Sequence, residues 1–263
     1  MPELDLGQVV GEAVNRNLLD NAYFVGGGSQ QGGGQFPVNQ RGQTIYSAAN
    51  AYCIDRWKLV SGSLSVVSGG ITLNGTIVQY LEQAVGSTVT ASALLSDGTM
   101  LSPSYDDATK TFTLTASGQT IKAVKLELGA AQTLARQENG VWVLNEIPGF
   151  QQELARCQRF QAPIFQDSYT VGVIRADAAG VLVLFTTPVP LRGAATITNM
   201  FTANVYGDVS TVVAYLNAGT SLDVKGNQVA VDANLTATDP ANANKFVQIV
   251  PAQNNILDAN LYY

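Results

Sequence analysis

Histidine is absent from this 263-residue chain. Its absence excludes Ser-His-Asp and Cys-His nucleophile systems, histidine-rich zinc sites and the usual neutral-pH proton shuttle. Charge is also scarce: Asp, Glu, Lys and Arg supply 13% of residues, about half the common level. The net charge of −6 argues against a nucleic-acid binder, which needs a clustered basic surface to neutralise phosphates. No window holds the roughly 20 uninterrupted apolar residues of a membrane span. The opening MPELDLGQ lacks a basic n-region and an apolar h-region, so export by a cleaved signal is not expected. Only two cysteines are present, Cys53 and Cys157. They read as two buried, reduced thiols of a chain assembled in the cytoplasm rather than as a disulfide.

What is there is apolar and turn-rich. Hydrophobic residues make up 46% of the chain, and Gly, Ser, Thr, Asn and Gln carry much of its polarity. That balance predicts an all-β protein rather than a helical bundle, and the length suits two domains of ordinary size. The stretch Ile121–Gln161 reads as the seam between them. Val124, Leu126 and Leu128 alternate with Lys125 and Glu127, the period of a half-buried strand with the charged pair facing outward. Asn139-Gly140 predicts a tight turn. After Pro148-Gly149 the period becomes helical, with Phe150, Leu154 and Cys157 on one face and Glu153, Arg156 and Arg159 elsewhere on the wheel.

Elsewhere the chain punctuates itself with turns. Residues 3–14 carry a short helical stripe that fits either a stalk end or a disordered leader. The glycine-rich run 26–34 lacks the Gly-Lys-Ser/Thr end of a phosphate-binding loop and reads as a surface loop. A strand is expected over 54–60, where Trp57 suits a sandwich core, although a tryptophan on a sugar-binding face has the same signature. Short apolar runs between residues 63 and 128 are separated at Ser68-Gly69-Gly70, Asn74-Gly75, Gly86, Asp97-Gly98, Asp106-Asp107 and Ser117-Gly118. Of these, Asn74-Gly75 and Asp97-Gly98 carry the strongest hairpin signals. Together they predict about eight strands, and further strands are expected from Thr170 to Tyr262.

Several segments resemble phage and prophage tail-fibre proteins (minor tail, receptor-binding) at matching places. They are NLLDNAYF (17–24), PVNQRG (37–42), YCIDRWKL (52–59), KLELG (125–129), ELARCQRF (153–160), FTTPVPLRGAATIT (185–198) and ILDANLYY (256–263). In that family a galactose-binding-like, carbohydrate-binding-module-like jelly roll precedes a terminal head domain. The resemblance implies a leader or stalk end over 1–16 and an N-terminal jelly-roll β-sandwich over 17–130. A linker with a short linking helix would span 131–161, and a C-terminal antiparallel β head domain 162–263. It also implies a homotrimer located in the virion, with a bacterial cell-surface glycan and other virion or tail proteins as partners.

Chemistry-bearing groups are few. Asp106-Asp107, Glu127, Glu146 and Glu153 are the carboxylates a glycosidase could use, but no spacing pairs two of them across a cleft, so no catalytic residue is assigned. Asp20, Asn21 and Asp55 are conceivable ligands of a structural Ca²⁺, without the alternating acids of a calcium loop; no cofactor or metal is assigned. Sugar binding draws on aromatics. Tyr46, Tyr52 and Tyr105 are candidates in the first domain. The family places recognition distally, so Phe201, Tyr206 and Tyr215, near loops 199–209 and 217–228, are the assigned glycan contacts. The expected function is non-enzymatic, multivalent adhesion to a bacterial surface glycan. The alternatives are a structural virion protein (head fibre or baseplate decoration) built for trimeric assembly, and a glycan-degrading enzyme.

Overall fold

The computed structural model describes residues 14–25, 36–163, 170–174, 180–192, 196–197, 201–205, 221–225, 228–234, 246–251 and 256–258. They are predominantly β, with one helix. The first part holds β1 (Ile45–Tyr46), β2 (Ala51–Tyr52), β3 (Lys58–Val67), β4 (Gly70–Tyr80), β5 (Val89–Leu95), β6 (Met100–Leu101), β7 (Ser104–Asp106) and β8 (Thr111–Leu128). Then follow β9 (Ala135–Glu138), β10 (Val141–Leu144) and α1 (Phe150–Gln158). The remainder is β11 (Gln161–Pro163), β12 (Thr170–Ile174), β13 (Gly180–Thr186), β14 (Thr196–Ile197), β15 (Phe201–Val205), β16 (Ser221–Lys225), β17 (Gln228–Asn234), β18 (Phe246–Pro251) and β19 (Ile256–Asp258).

β1 to β8 form one antiparallel sheet with β8 at its centre. β8 pairs with β4 from Thr111 to Ile121 and with β5 from Ile121 to Leu128. Ile121 partners both strands, so they occupy opposite edges. Beyond Ile121 the edge left by β4 is taken by residues 18–24. Phe24 N donates to Lys122 O, Val124 N to Ala22 O and Leu18 N to Leu126 O, each at 2.8 Å.

Two expected turns are strand interior. Asp97-Gly98 does close a tight turn, with Gly98 N donating to Leu95 O at 3.2 Å and Thr99 N to the Asp97 side chain at 2.8 Å. Asn74-Gly75 instead lies inside β4, where Gly75 faces Gly62 of β3. Both have positive φ, and a Cβ on either would come within 2.1 Å of backbone oxygen across the pair. Glycine is there for close approach of two strands, not for a reversal. Ser117-Gly118 likewise sits within β8, next to the register shift against Leu73 and Asn74. The expected strand over 54–60 is also revised: Ile54–Arg56 turn the chain, Trp57 N donates to Ile54 O at 3.0 Å, and β3 begins at Lys58.

Trp57, Phe24 and Phe112 are fully buried and meet edge to face, with centroids 6.1 and 5.8 Å from the indole. These contacts suit the opposed charge of ring face and ring edge. Leu134, Ala135 and Cys157 belong to the same core, so the β9–β10 hairpin base and α1 pack against the first sheet. Asn139-Gly140 makes the expected two-residue turn between β9 and β10, both residues at positive φ. A nine-residue helix is unstable alone. α1 is anchored by fully buried Cys157 and, unexpectedly, by Glu153, which is buried rather than on an outer face. Both cysteines are buried free thiols.

From β11 onward two antiparallel sheets form, one ordered β11-β19-β14 and the other β15-β18-β12-β13-β17-β16. Among the described residues no helix is long and apolar enough to cross a membrane.

Candidate functional site: an arginine-lined cleft

The assigned glycan contacts lie in the second part. Phe201 opens β15 opposite Pro251; Tyr206 and Tyr215 fall outside the described residues. Of the first-domain aromatics, Tyr46 and Tyr52 are buried, which corrects their assignment as sugar-binding candidates, and Tyr105 is half-buried with its hydroxyl on Asp107 at 2.9 Å.

The carboxylates have partners of their own. Asp106 accepts from Ala108 N and the Thr109 hydroxyl. Asp107 accepts from the Tyr105 hydroxyl, Val85 N and Gly86 N. These hydrogen bonds hold both carboxyls below the usual range. Glu127 does not face outward: its side chain and that of Lys125 are both fully buried, 3.7 Å apart. Thr133 N donates to Glu127 at 2.6 Å, and Lys125 Nζ also reaches Glu146 at 3.2 Å. The segment carrying Thr133 and Glu146 covers the face that alternation assigned to solvent.

Of the residues considered for calcium, Asn21 and Asp55 form a hydrogen-bonded knot, while the Asp20 carboxylate pairs with arginines. The Asn21 side-chain amide donates to Val38 O and Asp55 O, at 2.8 and 2.9 Å, while its carbonyl accepts from Val38 N. Asp55 accepts from Gln40 N and from Gln161 Nε2, each at 3.0 Å. Burial pushes the Asp55 carboxyl above its ordinary range, and these donors only partly oppose that. Among the described residues no group of three His, Cys, Asp or Glu side chains is placed to hold a metal.

One cleft, with a volume of about 810 Å³, is walled by Arg16, Arg56, Arg156, Arg159 and Arg192 together with Asp20, Glu82 and the chain from Leu81 to Val85. Each arginine has a structural reason for its position. Arg16 precedes the segment that edges β8. Arg56 sits at positive φ in the turn before β3. Arg156 and Arg159 are three apart around α1, on one face. Arg192 follows β13, and its N–H donates to Arg159 O at 2.8 Å. Phe160 is their hub, with the Arg56 guanidinium 3.5 Å from the ring centroid and those of Arg159 and Arg192 at 5.7 and 5.6 Å. The electron-rich ring face attracts cations that would otherwise repel one another.

Two acids tie the group together. Asp20 binds Arg56 at 3.0 Å and Arg156 at 2.6 Å; Glu82 binds Arg192 at 3.1 Å and Arg159 at 3.6 Å. Arg156 also reaches Glu153 at 2.5 Å. Burial opposes the Arg156 charge, but Asp20 and Glu153 outweigh it and its pKa is raised. Five guanidiniums against Asp20 and Glu82 leave the wall at +3, within a chain of net charge −6.

Sequence reasoning missed this cleft because its arginines are spread from position 16 to 192 and no window is basic. Only Arg156 and Arg159 share a local signal, their helical spacing. No family model, no curated protein and no solved structure matches the chain.

Proposed function

We propose that this chain is a non-enzymatic receptor-binding protein of a phage or prophage tail fibre, adhering to a bacterial surface glycan. One observation carries the reading: the segments that resemble tail fibres meet one another physically, and where they meet they build the cleft. From 17–24 comes Asp20, from 52–59 Arg56, from 153–160 Arg156 and Arg159, and from 185–198 Arg192. Asn21, Gln40, Asp55, Trp57 and Glu153, of these segments and of 37–42, interlock outside the cleft wall. Asn21 N donates to Glu153 at 2.7 Å, and the Trp57 indole N–H donates to Asn21 O at 2.8 Å. Residues shared with a family for the sake of its architecture should interlock in this way.

In this reading the first part is a jelly-roll β-sandwich (17–130), joined through a linker and short helix (131–161) to a C-terminal β head domain (162–263). A leader or stalk end (1–16) precedes them. Phe201, at the start of β15, contacts glycan together with Tyr206 and Tyr215, no metal or cofactor takes part, and the working form is a homotrimer in the virion. Several weak sites on one rigid body can bind about 10²–10⁴ more tightly than one. The test is co-sedimentation of the intact chain with a panel of bacterial strains. Retention by some strains, lost after periodate cleavage of surface sugar diols, supports the reading; retention by none, or retention indifferent to periodate, contradicts it.

One observation favours a second reading, a structural virion protein. Leu182 and Leu184 alternate on one face of β13 and are 43% and 65% exposed. Such a strip suits burial against another copy or another virion protein. Tight binding to virion components without binding to cells would favour it.

A further inference from the structure

We infer that the arginine cleft is an oxyanion subsite for an acidic glycan, taking either a sugar-acid carboxylate or the phosphate of a polyol-phosphate polymer. This rests on the adhesive reading above and names the chemical class of its ligand. Five of the chain's eight arginines wall one concavity. The guanidinium fork matches carboxylate and phosphate oxygens two at a time, which ammonium groups cannot do. Glu82 shows the fit within the chain: a single carboxylate lies between Arg159 and Arg192.

Donor capacity remains after these pairs are made. Arg56 is 2% exposed; its Nε binds Asp20 and its Nη2 binds Tyr80 O at 2.8 Å. Its Nη1 is buried without an acceptor among the described residues, and buried donors are rarely left so. Arg16, exposed at the rim, has no acidic partner among the described residues. The cleft volume lies within the range of small-ligand sites. Leu18, Leu81, Val85 and Leu128 add apolar wall suited to the C–H faces of a sugar ring.

The experiment is calorimetric titration of the intact chain with three probes: digalacturonic acid, glycerol phosphate and neutral digalactose. Arg56→Gln risks unfolding, so the test variant is Arg16→Gln/Arg159→Gln, whose side chains are peripheral, with a thermal melt as its folding control. The expected result is an acidic probe bound at least roughly tenfold tighter than digalactose. Added salt weakens that binding, and the folded double variant loses at least roughly tenfold in affinity. Preference for digalacturonic acid assigns a carboxylate ligand, and preference for glycerol phosphate assigns a phosphate. Equal affinity for all three probes, no binding of either acid, or an unchanged affinity in the variant would overturn the inference. If wild type and variant still sediment equally with cells, only the subsite fails. If the wild type sediments with none, the adhesive reading fails as well.

Discussion

Lys125 and Glu127 lie two apart on β8 with both side chains fully buried. Removing one charge of a buried pair leaves its partner desolvated, at a cost of roughly 3–5 kcal/mol, whereas replacing both by apolar residues of similar volume can be neutral. Lys125→Met is therefore expected to lower unfolding free energy in urea by roughly that amount, and Lys125→Met/Glu127→Leu to recover most of it. Equal losses in the single and double variants would show that the pair is not coupled. Trp57→Ala removes the central ring of the core and the indole donor to Asn21 O, and should cost about 3–5 kcal/mol in the same assay. Burial also sets the alkaline limit. It pushes the Cys53 thiol from 9.0 up to about 12 and the Tyr46 phenol from 10.0 up to about 12. Between those values the folded chain holds protons that the unfolded chain has released. The stability these two groups contribute is thus complete below pH 9.0 and is lost as pH rises toward 12. Unfolding measured at stepped alkaline pH should show this decline, and Cys53→Ala should make it shallower.

At the level of elements, glycines of similar sequence context have different jobs. Gly140 closes the β9–β10 turn, and a Cβ there meets nothing within 4 Å. Gly140→Ala should therefore cost only the positive-φ penalty, about 1–2 kcal/mol. Gly75 faces Gly62, and a Cβ would lie 2.1 Å from Ser61 O. Gly75→Ala adds a forced backbone shift to the φ strain, roughly 2–5 kcal/mol in all. Thermal melts of the two variants should rank them in that order, and a reversed order would contradict the close approach of β3 and β4 at Gly75. The same contrast marks how far the sequence is readable. Asp97-Gly98 and Asn139-Gly140 were legible as turns because the strands they join pair directly across them. Asn74-Gly75 was not, because the pattern cannot tell a reversal from the narrowing of two long strands. The burial of Val124 and Leu126 was legible from alternation, whereas Leu128, at the end of β8, is exposed. The burial of Lys125 and Glu127 was not legible, since it depends on a cover supplied from residues 133–146. Trp57 was expected in the core from its size, and only its complete burial separates that from the sugar-binding face with the same signature. The cleft was not legible, because long-range pairing assembles it from five separated arginines.

The molecule as a whole combines β-rich sheets with an arginine-lined cleft and an exposed apolar strip at Leu182 and Leu184. Light scattering at micromolar concentration should return the mass of a trimer, and charged substitutions at both leucines should shift it toward monomer; a wild-type monomer would remove the multivalent part of the account. The most direct test of the central claim is surface plasmon resonance of the intact chain over immobilised polysaccharide from a strain that retains it. A protein that grips glycan without changing it gives a saturable, reversible signal that returns to the starting baseline on washing. No signal, or a baseline that falls progressively as polysaccharide is cut away, would contradict it.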